Sequence, residues 1–156
     1  MHAKTSPLVL NEVNIIASNI VSIGVPEGFK GEINNFDIEI DFDIFTIEED
    51  TDARRIVISI AGNNMENPAP GYCFSIIAEG TFSYNKSIKT TKKDKDILLT
   101  HSAIPIMIGQ VRSYLSTLTA LGPFSVFLLP SIDMNYLLNK KNEENHKTDK
   151  QDKSIS

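Results

Sequence analysis

Between Phe36 and Ile44 the sequence reads FDIEIDFDI, with the carboxylates Asp37, Glu39, Asp41 and Asp43 at every second position. Four carboxylates in a row suggest three chemistries: a metal site, an acid–base pair, or a charged docking face. Strict alternation is the pattern of a strand with one wet face, so all four fall on the same side. Same-face neighbours on a strand lie about 6.5–7 Å apart. That is too far for several of them to share one ion without ligands from elsewhere. The row therefore reads as an exposed acidic face, opposite the apolar Phe36, Ile38, Ile40 and Phe42. Its uses would be solubility, resistance to edge-to-edge pairing and electrostatic choice of partner.

Nothing else in the chain assembles into a reaction centre. His2, His101 and His146 lie far apart with no partner at metal or catalytic spacing. His101, just before a helical pattern, reads as a loop or cap residue. Cys73 is the only cysteine, which excludes an internal disulfide and a cysteine-built zinc site. It reads as a small core or face residue of a strand. There is no phosphate-binding glycine loop, GxSxG elbow or HExxH helix. The expectation is a protein that is not an enzyme and carries no metal or cofactor.

The net charge of −5 is unevenly spread: residues 1–85 hold 13 acids and 4 bases, and residues 86–156 hold 7 acids and 11 bases. An acidic first half lacks the basic footprint of a nucleic-acid binder. No apolar run reaches the roughly 18 residues of a membrane span. The opening MHAKTSPLVLNEV lacks the apolar core of a signal peptide. With one free thiol, these features fit a cytoplasmic protein.

The elements that must position these residues come in the order strands, then helices. Residues 8–25 are apolar and β-branched, one or two strands with a break near Ser18-Asn19. Residues 35–48 are a long strand, with a bulge or twist expected near Ile44, where Phe45 and Ile47 take the opposite parity. RRIVISIAG and YCFSIIAEGTFSYN are two more strands, the latter with a kink or bulge at Gly80. KSIKTTKKDKD reads as a solvated loop. From residue 104 the sequence IPIMIGQVRSYLSTLTAL places Ile104, Ile108, Val111, Leu115 and Leu118 on one helical face, and Gly122-Pro123 ends the helix. Residues 131–141 suit a second short helix capped by Ser131 or Asp133. The tail 140–156 is nearly free of apolar residues and is expected to be disordered, leaving 1–139 as the folded domain. The class is α+β, an antiparallel sheet with helices on one face.

The helix over 104–121 carries a single charge, Arg112, and its off-face positions Gly109, Ser113, Ser116, Thr117 and Ala120 are all small. Such a helix is usually covered on both sides. In so small a domain the second cover is most easily another subunit. Gly109, Arg112, Leu115 and Ser116 are the expected interface positions.

Four stretches together resemble the SecB family of protein-export chaperones: EINNFDIEIDFDIF, RRIVISIAG, FSIIAEGTFSYN and IPIMIGQVRSYLSTLTALGPFSVFLLPSIDMNYLL. Within them Arg112 matches the family's helix arginine. Gly122 and Phe124 match its turn, and Ile132, Asp133 and Met134 its apolar-Asn-Phe triplet. Gly109-Gln110 replace the family's Pro-Tyr, and Ser75 stands where a motor-docking carboxylate is usual. The resemblance implies a four-stranded antiparallel sheet with a long helix and a shorter C-terminal helix on one face. It implies a homotetramer, a dimer of dimers, acting as an ATP-independent holdase for unfolded client polypeptides. It places client binding near Ile38, Ile40, Phe42, Met134, Tyr136 and Leu137. It offers the acidic row to the SecA motor. Service to a single antitoxin in a toxin–antitoxin–chaperone module, or a non-chaperone assembly role on the same fold, stand as alternatives.

Overall fold

The computed structural model describes residues 2, 4–63 and 65–152, with the side chains of Thr51 and of residues 146–152 left undescribed. Four strands come first: β1 (Leu8–Ile23), β2 (Ile38–Ile47), β3 (Asp50–Gly62) and β4 (Gly71–Tyr84). Helix α1 (Lys92–Leu98) runs through a π-helical turn (Leu99–Ala103) into α2 (Ile104–Thr119), and α3 (Met134–Asp152) follows an irregular crossover. The strands form one open antiparallel sheet in the order β1-β4-β3-β2, with β1 and β2 at its edges.

The core lies between the sheet and α2. Ile56, Ile58 and Ile60 of β3 and Phe74, Ile76, Ala78 and Phe82 of β4 point to one side and are fully or almost fully buried. Against them lie Ile104, Met107, Ile108, Val111 and Leu115 of α2, one stripe at helical spacing. Burying each large aliphatic side chain contributes about 1.5–3 kcal/mol. This stripe is what holds the helix to the sheet. The expected fold class is observed.

Several local expectations change. β1 is one strand with irregular pairing at Leu10/Glu12 and Ile15/Ala17, not broken at Ser18-Asn19. The irregularity expected in β2 is present, as a register shift at Thr46/Ile47. Gly80 is no bulge: it pairs in register with Val13 and Ile56. Its hydrogen side chain makes room for α2, since a Cβ there would stand 2.3 Å from Met107 Sδ. Part of the lysine-rich loop is helix α1, opened by a capping box in which Thr91 and Asp94 satisfy each other's backbone N–H groups. His101 sits in the π-helical turn, not in a loop.

The C-terminal helix departs most. It begins at Met134, with Asp133 accepting from Tyr136 N–H at 3.0 Å as the expected cap. It then continues through the expected disordered segment to Asp152. Polar composition did not prevent helix formation, because Asn, Lys and Glu there need no buried face once Met134, Leu137 and Leu138 anchor the first turns against the core. Residues 153–156 lie outside the described residues. Among the described residues, no helix is long and apolar enough to cross a membrane.

The crossover between α2 and α3 is fixed by a buried polar knot. Tyr72 Oη lies 3.0 Å from Ser125 O and 3.3 Å from Thr119 O, and it accepts from Phe124 N–H at 3.3 Å. Thr119 Oγ1 donates to Leu115 O at 2.8 Å and accepts from Phe127 N–H at 2.9 Å. Gly122 is required beneath this knot, since a Cβ would fall 2.1 Å from Tyr72 Oη.

Candidate functional site

The acidic row sits where the alternation put it. Glu39, Asp41 and Asp43 on the edge strand β2 and Asp37 just before it are all exposed, while Phe42 is buried and Phe36, Ile38 and Ile40 are half-buried. Glu39, Asp41 and Asp43 pair across the sheet with Ala61, Ser59 and Val57, so no carboxylate faces them on β3. Among the described residues no cluster of potential metal ligands forms.

The row is not uniform. Lys141, reaching from α3, donates to Asp41 Oδ1 at 2.7 Å and lies 3.2 Å from Asp43 Oδ1. Asp41 Oδ1 also accepts from Phe42 N–H at 2.8 Å. The ammonium stands 5.7 Å from the centroid of the Phe42 ring, within cation–π range. Burial alone would lower the Lys141 pKa; the hydrogen bonds and charges of Asp41 and Asp43 outweigh it and hold the amine above its ordinary range. Asp37 and Glu39 form no ion pair among the described residues. One half of the row is thus ion-paired with α3 while still exposed, and the other half has no ion pair among the described residues.

This docking of α3 closes one side of a groove of about 620 Å³. Its apolar floor is Phe42, Ile44 and Leu138; its walls carry Asn135, Asn139, Asn142 and Asn145 of α3 and Thr100 and His101 of the π-helical turn. Single π-helical turns inside helices are frequent at functional sites.

The expected client-binding residues divide. Phe42 belongs to the core, and Ile38, Ile40, Met134 and Leu137 pack against it half-buried. Tyr136 is 63% exposed. The expected interface residues divide as well. Leu115 is fully buried against its own sheet, so it serves the subunit's core instead of an outer face. Arg112 is spent within the chain: Nε donates to Leu129 O and Nη2 to Pro130 O, both at 2.9 Å. Gly109 has open space beside it, and Ser116 is half-buried. With Arg112 turned to the crossover, the outward side of α2 bears no charge. Exposed apolar side chains accompany it: Ile106, Leu118, Leu121, Val126 and Leu128, of which Leu121 is 100% exposed.

The sequence reading missed the Lys141 contact, the Tyr72 knot and the asparagine wall. Only the last had a signal, since Asn135, Asn139 and Asn142 recur at helical spacing.

Compared with solved structures, the chain is similar to the Mycobacterium tuberculosis Rv1957 SecB-like chaperone, solved in complex with a ChAD peptide from the Rv1956 HigA1 antitoxin. The TM-score is 0.59 at 12% identity, over 81% of this chain and 91% of that one. A protein of unknown function from Streptococcus agalactiae is matched at a TM-score of 0.42 and 9% identity, over 80% of this chain and 97% of that one, too loosely to bear on the fold. No protein-family model matches the sequence. No curated protein matches it either. The fold of this chain is therefore SecB-like, as the order and spacing of its strands and main helix imply.

Proposed function

We propose that the protein is an ATP-independent holdase that binds unfolded or partly folded polypeptides and works as a homotetramer, a dimer of dimers. The observation that carries this reading is the uncharged outward side of α2 with the exposed Leu118, Leu121, Val126 and Leu128 beside it, on a SecB-like fold. Large apolar side chains left to water beside an uncharged helix side are candidates for a protein–protein surface. It suits both subunit packing and capture of unfolded chains. In this reading Gly109 and Ser116 lie at the subunit interface and Tyr136 touches clients. The exposed Asp37 and Glu39 receive a basic partner, whether a client or a translocation motor.

A dedicated antitoxin client is the second reading. It is favoured by the likeness to a chaperone solved with an antitoxin-derived peptide. One assay tests the common core: a chemically denatured enzyme is diluted without nucleotide, with and without this protein. Suppressed light scattering is expected; unchanged aggregation refutes the holdase. A monomer mass by multi-angle light scattering at micromolar concentration refutes the tetramer.

A further inference from the structure

A smaller cleft, of about 330 Å³, lies between the segment leading into β1 and the turn that opens α1. Its floor is apolar, made by Pro7, Ile88, Ile97 and Leu98, with Lys4 lining it from the first segment and Lys89 from the second. Main-chain bonds hold the two together. Pro7 O accepts from Asn85 N–H at 2.8 Å, and Asn85 O accepts from Ile88 N–H at 3.0 Å. Asn85 Oδ1 accepts from Ser87 N–H at 2.9 Å, which fixes the turn. Leu98 packs against the core, while Ile97 beside it is 47% exposed on a helix that buries none of its residues. A lone exposed isoleucine is ordinary. One that joins other apolar side chains in a concave site rimmed by charge is the composition of a binding site.

The charge around this floor has no internal counterpart. From Lys86 to Asp96 the chain has five lysines and two aspartates. Lys95 is answered by Asp52 at 2.7 Å. Asp94 also lines the cleft, but its Oδ2 is taken by Thr91 N–H at 3.0 Å and Thr91 Oγ1 at 2.7 Å. Lys4, Lys89 and Lys92 make no ion pair or hydrogen bond among the described residues. Lys95, Lys140 and Lys141, by contrast, each meet a carboxylate.

We propose that this cleft docks an acidic segment of a partner protein, which sets an apolar side chain on the floor between carboxylates that meet Lys4 and Lys89. Charge complementarity selects the partner: unanswered lysines attract carboxylates, and the floor between them rewards an apolar anchor. The volume is at the small end of ligand sites, so it takes one or two side chains and not a long chain. A single-stranded nucleic acid would call for stacking aromatics, and none lines this cleft. A bilayer would call for a broad apolar helix face, whereas these apolar side chains line a concavity. The site is separate from the groove beside α3 and does not rest on the holdase reading.

The test is fluorescence polarisation with a labelled peptide in which leucine and phenylalanine sit between two runs of aspartate. Two companion peptides replace the aspartates by asparagine or the apolar pair by serine. The full-length protein is compared with Lys4→Ala/Lys89→Ala, with Ile97→Ser, and with Lys30→Ala/Lys140→Ala, which removes the same charge elsewhere. All of these side chains are exposed, so the fold is retained. The plain peptide is expected to bind more tightly than either companion. Its affinity should fall about fivefold or more in Lys4→Ala/Lys89→Ala and in Ile97→Ser, and stay unchanged in the control pair. No binding of the plain peptide overturns the proposal, as does equal weakening by the control pair or equal binding of the serine companion. Phosphatidylserine vesicles bound in preference to the peptide, and released by Lys4→Ala/Lys89→Ala, assign the lysines to a lipid surface and overturn it. Self-association lost in the same variant assigns the cleft to the acidic edge of a second copy and overturns it too. The aggregation assay is independent: a holdase that ignores this peptide refutes only the docking site, and a peptide binder that suppresses no aggregation refutes only the holdase.

Discussion

Replacing Lys141 by methionine keeps the stem and removes the charge, which isolates the contact that holds α3 to the edge strand. The lysine side chain is 17% exposed, whereas Asp41 and Asp43 are 62% and 60% exposed. Solvent therefore screens the acids more than the amine. An exposed pair contributes about 0.2–1 kcal/mol; the buried stem and shared ammonium place this one near the upper end. The Phe42 ring adds about 0.5–1 kcal/mol. The sum, about 1–2 kcal/mol, is a factor of about 5–30 in the ratio of docked to undocked helix. Core residues do not depend on it, so the effect is local. Hydrogen exchange of the amides of residues 139–145 is expected to accelerate by that factor, with the melting temperature nearly unchanged. Salt at about 1 M, where the screening length is about 3 Å, should reproduce much of the loss in the unmodified protein. The pH dependence has a definite sign. The amine's pKa is raised in the folded state, so its contribution is complete below the pKa of a free lysine and fades as pH climbs through the raised value. Far-ultraviolet circular dichroism should show α3 loosening in strongly alkaline solution and no such step in Lys141→Met. Unchanged exchange in α3, or a fall in global stability equal to the local one, refutes the reasoning.

Three further outcomes follow from the packing. Gly122→Ala forces a methyl into Tyr72 Oη and should destabilise by about 1–3 kcal/mol; Tyr72→Phe alone leaves Phe124 N–H without its acceptor and costs a similar amount. Together they should cost less than their sum, which thermal melts of the four-member cycle will show. Leu115→Asp buries an unpaired charge in the core and should unfold the subunit, whereas Gly109→Glu or Ser116→Glu should keep the circular dichroism spectrum and lower the mass measured by light scattering. Asp37→Asn/Glu39→Gln should slow association with a basic partner and leave α3 exchange untouched, while Asp41→Asn/Asp43→Asn should speed α3 exchange.

β2 was readable because it carries a strict period, the other strands because they are apolar, β-branched runs between turns, and the acidic row because its parity never breaks before Ile44. The long helix was readable from the stripe Ile104, Ile108, Val111, Leu115 and Leu118, of which Leu118 proves 46% exposed, and its end from Gly122-Pro123. What escaped was whatever depends on a partner distant in sequence. Leu115 could be assigned to the apolar stripe but not to one side of a helix expected to be covered twice. Gly80 looks like a strand irregularity until Met107 is seen standing over it. Lys141 is one of many lysines in a polar tail, and nothing local tells that an edge strand about a hundred positions earlier supplies its counter-ions. α1 escaped for a different reason: its signal, Thr91 and Asp94 in capping-box spacing, was present but outweighed by the density of lysine around it.

The acidic row has two functions because β2 is an edge strand. An edge must be guarded against pairing, and a line of carboxylates does that wherever it is hydrated. Where α3 crosses the edge, the same carboxylates lose part of their water and need a counter-charge, which Lys141 supplies to Asp41 and Asp43. Beyond the helix, Asp37 and Glu39 keep their water and their long-range field. A cationic ligand can thus approach Asp37 and Glu39 at little cost, and at Asp41 and Asp43 it competes with Lys141 for the Oδ1 atoms. A cation bound at the inner pair and docking of α3 then oppose each other, and by linkage each weakens the other by the same factor. The charge on this edge and the docking of α3 are for that reason coupled through Lys141.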